Sequence, residues 1–205
     1  MSDFVWLDAK RFRGWPWPED STGKDPLYGA DGWCRDCGTP QVPQRGDLVL
    51  QKSGLRPEGA WTPNWRFDLV CVSGAVAEQI VAAGFRVTMR PVGWPRQPAG
   101  EAFQLVIPVV GDRWFDPAVL SELTVARHGR EGSRCGTCGV WRWMSVSDPP
   151  LVDVPELADV DVAASPEVFG SGWSTYREVL FRRAFAELLV AVSPRDFEIR
   201  EPEWS

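Results

Sequence analysis

Four of the five cysteines fall in two short knuckles, Cys34-Arg35-Asp36-Cys37-Gly38 and Cys135-Gly136-Thr137-Cys138-Gly139. Two CxxC pairs supply the four thiolates of a tetrahedral structural Zn²⁺ site, and the two-residue spacer lets both sulfurs of a pair reach one metal. Glycine after the second cysteine can take a left-handed turn that aims backbone N–H groups at the sulfurs. A zinc held by four thiolates keeps no open coordination position, so its expected role is structural and not the activation of water.

The separation of the knuckles is unusual. Between Cys37 and Cys135 lie 97 residues, where a compact ribbon has roughly 15–20. One metal joining both would pin the start of the chain to its middle. Closing a loop of about 100 residues is worth roughly 4–5 kcal/mol through the unfolded state. Dithiol redox chemistry and disulfides are the competing uses of such pairs. A redox CxxC usually opens a helix after a strand, whereas both pairs here sit in Gly-rich polar turns. The first 25 residues hold no apolar run of signal-peptide length, so the expected compartment is a reducing cytoplasm, where zinc is favoured over disulfide.

Other chemistry finds little support. His128 is the single histidine, which excludes two-histidine metal motifs, and with four cysteines at hand it is not expected to be a ligand. Walker A, GxSxG and GxGxxG sequences are absent. No carboxylate pair can be placed across a substrate, so no enzyme and no small-molecule substrate are expected. A net charge of −6 argues against nucleic acid as a partner, because phosphate neutralisation needs concentrated positive charge. No stretch has the length and apolarity of a membrane span. Between Arg142 and Arg177 there is no Lys or Arg, while Asp148, Asp153, Glu156, Asp159, Asp161 and Glu167 all occur. Such a run is either a solvated loop or a contact surface for a basic partner, and Asp153, Glu156, Asp159 and Asp161 are the candidate contacts.

The elements that must position these residues suggest an α+β fold of mixed or antiparallel sheets, with two main helices and a zinc-ribbon-like double-knuckle clasp. The chain is expected to form a single domain over residues 1–205, or two closely packed halves, with knuckles at 33–39 and 134–139. Strands are expected over 3–8, 47–51, 67–72, 85–89, 102–110 and 140–144. An irregular Pro/Trp-rich arm is expected to about residue 32, and a loop over 53–65. Ser73 as N-cap and Gly84 as stop bracket a short helix over 74–83. A short helical turn should run from Asp116-Pro117 to Leu123. The longest helix is expected over 175–192, opened by a Thr175/Glu178 capping box, with Glu178 and Arg182 paired on its outer face. Cys71, inside an apolar strand, is expected to be a small buried hydrophobe. Most of the twelve tryptophans should serve packing, Trp33 and Trp141 beside the knuckles among them. An internal echo links Ala77-Glu78-Gln79-Ile80-Val81-Ala82 with Ala186-Glu187-Leu188-Leu189-Val190-Ala191, giving two candidate α/β half-repeats at 67–91 and 175–202, the second with a turn three residues longer.

The two CxxCG knuckles, their long separation and the segment DLVCVSGAVAEQIVAAGFRVTMRP together resemble the double-CXXCG motif family. Its members are mainly myxobacterial paralogues, some of them immunity proteins of swarm-inhibition toxin systems. The central segment is also similar to one found in a broader family of polymorphic-toxin immunity proteins. The likeness spans about residues 33–145, and the Pro/Trp-rich arm at 12–33 matches nothing in it. It implies metal ligation by Cys34, Cys37, Cys135 and Cys138, and an immunity function against a cognate toxin. A zinc-ribbon adaptor or nucleic-acid-associated module is the alternative.

Overall fold

The computed structural model describes residues 3–11, 15–19, 23–51, 57–95 and 101–204. Parts of the expected arm (12–14 and 20–22) and of the expected loop (53–56) lie outside the described residues. In chain order the elements begin with β1 (Phe4–Ala9), α1 (Lys24–Tyr28), β2 (Ala60–Trp61), β3 (Cys71–Ser73), α2 (Gly74–Ala82), β4 (Thr88–Pro91) and β5 (Ala102–Val106). They continue with α3 (Pro117–His128), β6 (Gly132–Arg134), β7 (Trp141–Trp143), β8 (Val162–Ala164) and β9 (Val168–Ser171). The last are β10 (Ser174–Tyr176), β11 (Val179–Arg182), α4 (Arg183–Val192) and β12 (Phe197–Arg200). The fold class is α+β, with three four-stranded sheets ordered β2-β3-β5-β4, β12-β1-β11-β8 and β10-β9-β7-β6.

Two of these sheets share one plan. In the first, β3 and β4 both run antiparallel to β5 between them, so α2 joins two parallel strands across an inserted one. The second repeats this with β11, α4 and β12 around β1, a split β-α-β arrangement in each case. The central strand of the second sheet comes from the start of the chain. Pairing register equates Arg90, opposite Gln104, with Arg200, opposite Trp6. The second turn is therefore one residue longer, not three, because the sheet register and not the Phe and Pro pattern sets the alignment.

Both helices pack into a common core, where Val72, Ile80 and Leu105 meet Val5, Phe181, Phe185 and Leu189. A second cluster gathers Trp114, Phe115, Leu120 and Phe169 beneath the third sheet, and a third holds Leu27, Leu48, Trp61 and Cys71. The arm docks there through Trp15, stacked on Trp61 at 5.3 Å between centroids. Among the described residues no helix is long and apolar enough to cross a membrane.

Several sequence expectations need correction. Residues 175–182 are not helix: Thr175 lies in β10 and 179–182 form β11. β11 gains ladders on both sides, to β1 and β8, and that pairing outweighs a local capping signal. Glu178 and Arg182 do not pair, because Arg182 turns to Asp161 and Asp3. The longest helix is α3, which runs on past Leu123 to His128. Its second half is exposed apart from Thr124, Leu123 and Val125 included, so it carries no buried apolar stripe for hydrophobic periodicity to reveal. Asp116 caps it, accepting from Ala118 N at 2.7 Å, and Gly129 closes it at φ 72°. Ser73 stands at the N-cap of α2 without a side-chain cap bond. The strand expected over 85–89 lies at 88–91 and includes Pro91, which an edge strand tolerates. Of residues 47–51, only Val49 and Leu50 form isolated bridges.

Candidate metal centre

Each knuckle folds on itself through the same pair of backbone bonds. Cys34 N donates to Thr39 O (2.9 Å) and Gly38 N to Cys34 O (2.7 Å); Cys135 N donates to Val140 O (3.0 Å) and Gly139 N to Cys135 O (3.0 Å). Gly38 and Gly139 take φ of 73° and 75°, the left-handed turn that a side chain disfavours. The turn leaves N–H groups pointing back at the first cysteine of each pair. Backbone N–H groups of Cys138 and Thr137 draw the Cys135 thiol down to about 6, whereas burial pushes Cys34 up and Cys138 up to about 12.

The four ligand atoms lie within 4.8 Å of one another. Cys34 Sγ is 3.7 Å from Cys135 Sγ, and Cys37 Sγ is 3.5 Å from Cys138 Sγ. Zn–S bonds of about 2.3 Å set tetrahedral S···S edges of about 3.8 Å, so the sulfurs fit one tetrahedral ion. Cys34, Cys37 and Cys135 are buried and Cys138 is partly so. The cluster could therefore hold a metal ion with four protein ligands. Cys71 takes no part: it is buried in β3, and burial pushes its thiol up.

The third sheet carries the clasp. Its β6–β7 hairpin presents the second knuckle, and parallel pairing of β7 with β9 ties this to the β9–β10 hairpin. At the tip of that hairpin, Trp173 Nε1 donates to Arg35 O at 2.6 Å. The Trp173 ring meets Trp33 edge-on with centroids 5.3 Å apart. Arg35 lies over Trp33 at 4.2 Å and bonds Asp25 at 2.7 Å, and Trp33 Nε1 donates to the same carboxylate at 2.8 Å. Thr137 and Asp36 bond directly between the knuckles. Lys24 is buried and passes beside Gly38. Sequence reasoning missed Asp25, Lys24 and Trp173, because nothing in their spacing ties them to the cysteines. His128 stands apart from the cluster, exposed, with Nε2 2.6 Å from Ser145 O.

The four acidic candidates do not share one surface role. Glu156 is exposed, Asp153 pairs with Arg113 at the surface, and Asp159 is fully exposed with Arg86 Nη1 at 3.6 Å. Asp161 is buried, accepting from Arg182 Nε and Arg86 N, so it offers no free charge to a partner. Glu167 likewise turns inward, accepting from Trp114 N at 2.8 Å. The length of the acidic run concealed this, since sequence does not reveal which of its carboxylates face inward. No family model matches this sequence, and no curated protein matches it.

Proposed function

We propose that this chain is an immunity protein that binds a cognate bacterial toxin domain and blocks it, with one structural Zn²⁺ held by Cys34, Cys37, Cys135 and Cys138. The reading is supported by the double-CxxCG cluster, whose four sulfurs lie within 4.8 Å of one another and would leave a metal held by all four no ligand position for substrate. On this reading the chain acts by binding and not by catalysis, in a reducing cytoplasm where thiolates hold metal. The acidic balance supports a basic partner such as a nuclease, because negative charge that mimics substrate phosphates accelerates encounter. Glu156 and Asp159, with Asp153, supply that charge on the exposed part of the acidic run. A zinc-ribbon adaptor is the second reading, favoured by exposed Arg127, Arg130 and Arg134 beside the second knuckle.

The deciding experiment is a pull-down and growth-protection assay against the product of the adjacent gene, with binding kinetics followed across salt. Charge reversal of Glu156 and Asp159 together should slow association. Salt-sensitive binding to RNA or DNA, with no protection from the toxin, would favour the adaptor instead.

A further inference from the structure

A cleft of about 590 Å³ opens between the strap at 39–44 that follows the first knuckle and the segment at 106–109 that leaves β5, with Thr175, Tyr176 and Arg177 also lining it. That volume suits a small ligand, and the walls are those of a binding site: mainly apolar, with a few convergent polar groups.

Arg177 is its most informative residue. It is half-buried, and burial pulls its guanidinium below the usual range. Nη1 donates to the carbonyls of Ser165 (3.0 Å), Pro166 and Glu167 (3.5 Å). Among the described residues it forms no ion pair. Asp68, which also lines the cleft, is engaged by Arg66 at 3.4 Å. The Glu167 carboxylate accepts from Trp114 N and Phe115 N through Oε1 alone, with Oε2 buried and without a hydrogen-bond partner; its charge and that of Asp68 act on Arg177 without closing an ion pair with it. Carbonyl dipoles orient a guanidinium but do not neutralise it, and a desolvated cation calls for an anion. Elsewhere in the chain, partly buried Arg182 and Arg200 each hold two carboxylates.

A second observation comes from Thr175, which lines the same cleft and is 6% exposed, with its Oγ1 lacking a hydrogen-bond partner. Gln44 and Gln104 exchange amide bonds of 3.0 Å in both directions, leaving Gln104 a further N–H donor. We propose that this cleft binds a carboxylate carried on an apolar body, with Arg177 as the anion-binding residue. The carboxylate belongs either to a free organic acid or to the chain terminus of a peptide, and the site does not rest on the toxin-binding reading.

The test titrates the full, metal-loaded chain with phenylacetate and with N-acetyl-Ala-Phe, each beside its carboxamide, following ¹H–¹⁵N resonances. The expected result is saturable shifts at residues 175–177 and at the Gln44 and Gln104 side-chain amides, with at least one acid binding about tenfold or more tightly than its amide. Arg177→Gln should abolish that preference. If this variant fails to fold, Val42→Trp fills the cleft without touching the carbonyl clamp and should block binding. Saturation by phenylacetate alone identifies a free acid as the ligand type, and saturation by the peptide alone identifies a chain terminus. The proposal is overturned if neither acid saturates, if acid and amide bind alike, or if the substitutions leave binding unchanged.

Discussion

Ser73 and Arg182 hold the same place in two copies of one sheet. Each is the last strand residue before a helix, and each donates its backbone N–H over 2.8 Å, to Gly59 O and Asp161 O respectively. The residues that follow repeat the relation, Gly74 N reaching Glu101 O (3.1 Å) and Arg183 N reaching Asp3 O (2.7 Å). The copies also clasp each other crosswise: Ala60 N donates to Ser193 Oγ at 2.7 Å, and Arg86 N donates to the Asp161 carboxylate. A residue past each helix thus bonds at the edge of the other copy, Ser193 accepting from β2 and Arg86 donating to the residue before β8.

Shared packing of this kind predicts cooperative unfolding. Phe185 is fully buried, with its ring centroid 4.9 Å from that of Phe85 and 6.0 Å from that of Phe181. Phe185→Ala should cost about 3–5 kcal/mol. Urea unfolding followed by circular dichroism and by tryptophan emission should give one coincident transition, shifted to lower denaturant in the variant. Two separate transitions would mean that the copies fold independently.

Asp159 and Asp161 should part company in the same assay. Asp161→Ala leaves Arg182 facing a vacated buried site and removes the acceptor of Arg86 N, a loss of about 3–5 kcal/mol. Asp159 is fully exposed, so Asp159→Ala should leave the midpoint within error. Equal effects would remove the distinction between an inward and an outward carboxylate.

What the sequence made legible follows from how local each signal is. The knuckles are local, since spacing and glycine alone give Gly38 and Gly139 their left-handed turns. The helix echo was equally local, and the offset of 109 residues between Ala77 and Ala186 is the one that sheet pairing gives for Gly74 and Arg183. Thr175 and Glu178 misled because their capping pattern is also local, while β11 is held as a strand between β8 and β1, the latter at the far end of the chain. The support of Arg35 by Trp173 spans 138 residues. No periodicity reports a contact of that length.

Metal removal should loosen the molecule where the chain is longest between its ties. Chelation, or Cys34→Ser with Cys138→Ser, is expected to release a loop closure worth roughly 4–5 kcal/mol. Because Trp173 sits on the first knuckle through Arg35 O, its emission should shift as the metal leaves. Elemental analysis of protein purified without chelator should give about one zinc per chain; less than about half would count against the site.

The two knuckle glycines offer a control against general backbone strain. Both require positive φ, so alanine at either costs about 1–2 kcal/mol. A side chain at Gly139 would meet nothing within 4 Å, whereas one at Gly38 would come within 2.8 Å of Trp173 Cα. Gly38→Ala should therefore weaken metal retention and lower the melting temperature more than Gly139→Ala. Equal losses would indicate that the β9–β10 hairpin does not brace the first knuckle.

Glu178 gives the protein a pH dependence opposite to that of a paired carboxylate. Burial first, then the neighbouring Asp8 and Asp148 charges, push its carboxyl up to about 8, against a partial offset from Arg200. Arg200 is already committed to Asp8 and Asp148, so it cannot serve a third anion fully. Between the ordinary glutamate value and pH 8 the folded chain keeps a proton that the unfolded chain releases, and stability falls as pH rises through that window. Each unit is worth about 1.4 kcal/mol, which bounds the loss at about 4–5 kcal/mol. Melting temperatures of the parent should decline from pH 5 towards pH 8 more steeply than those of Glu178→Gln, which is neutral throughout and should be the more stable chain at the alkaline end. Parallel profiles would mean that Glu178 ionises in the folded protein as readily as in water.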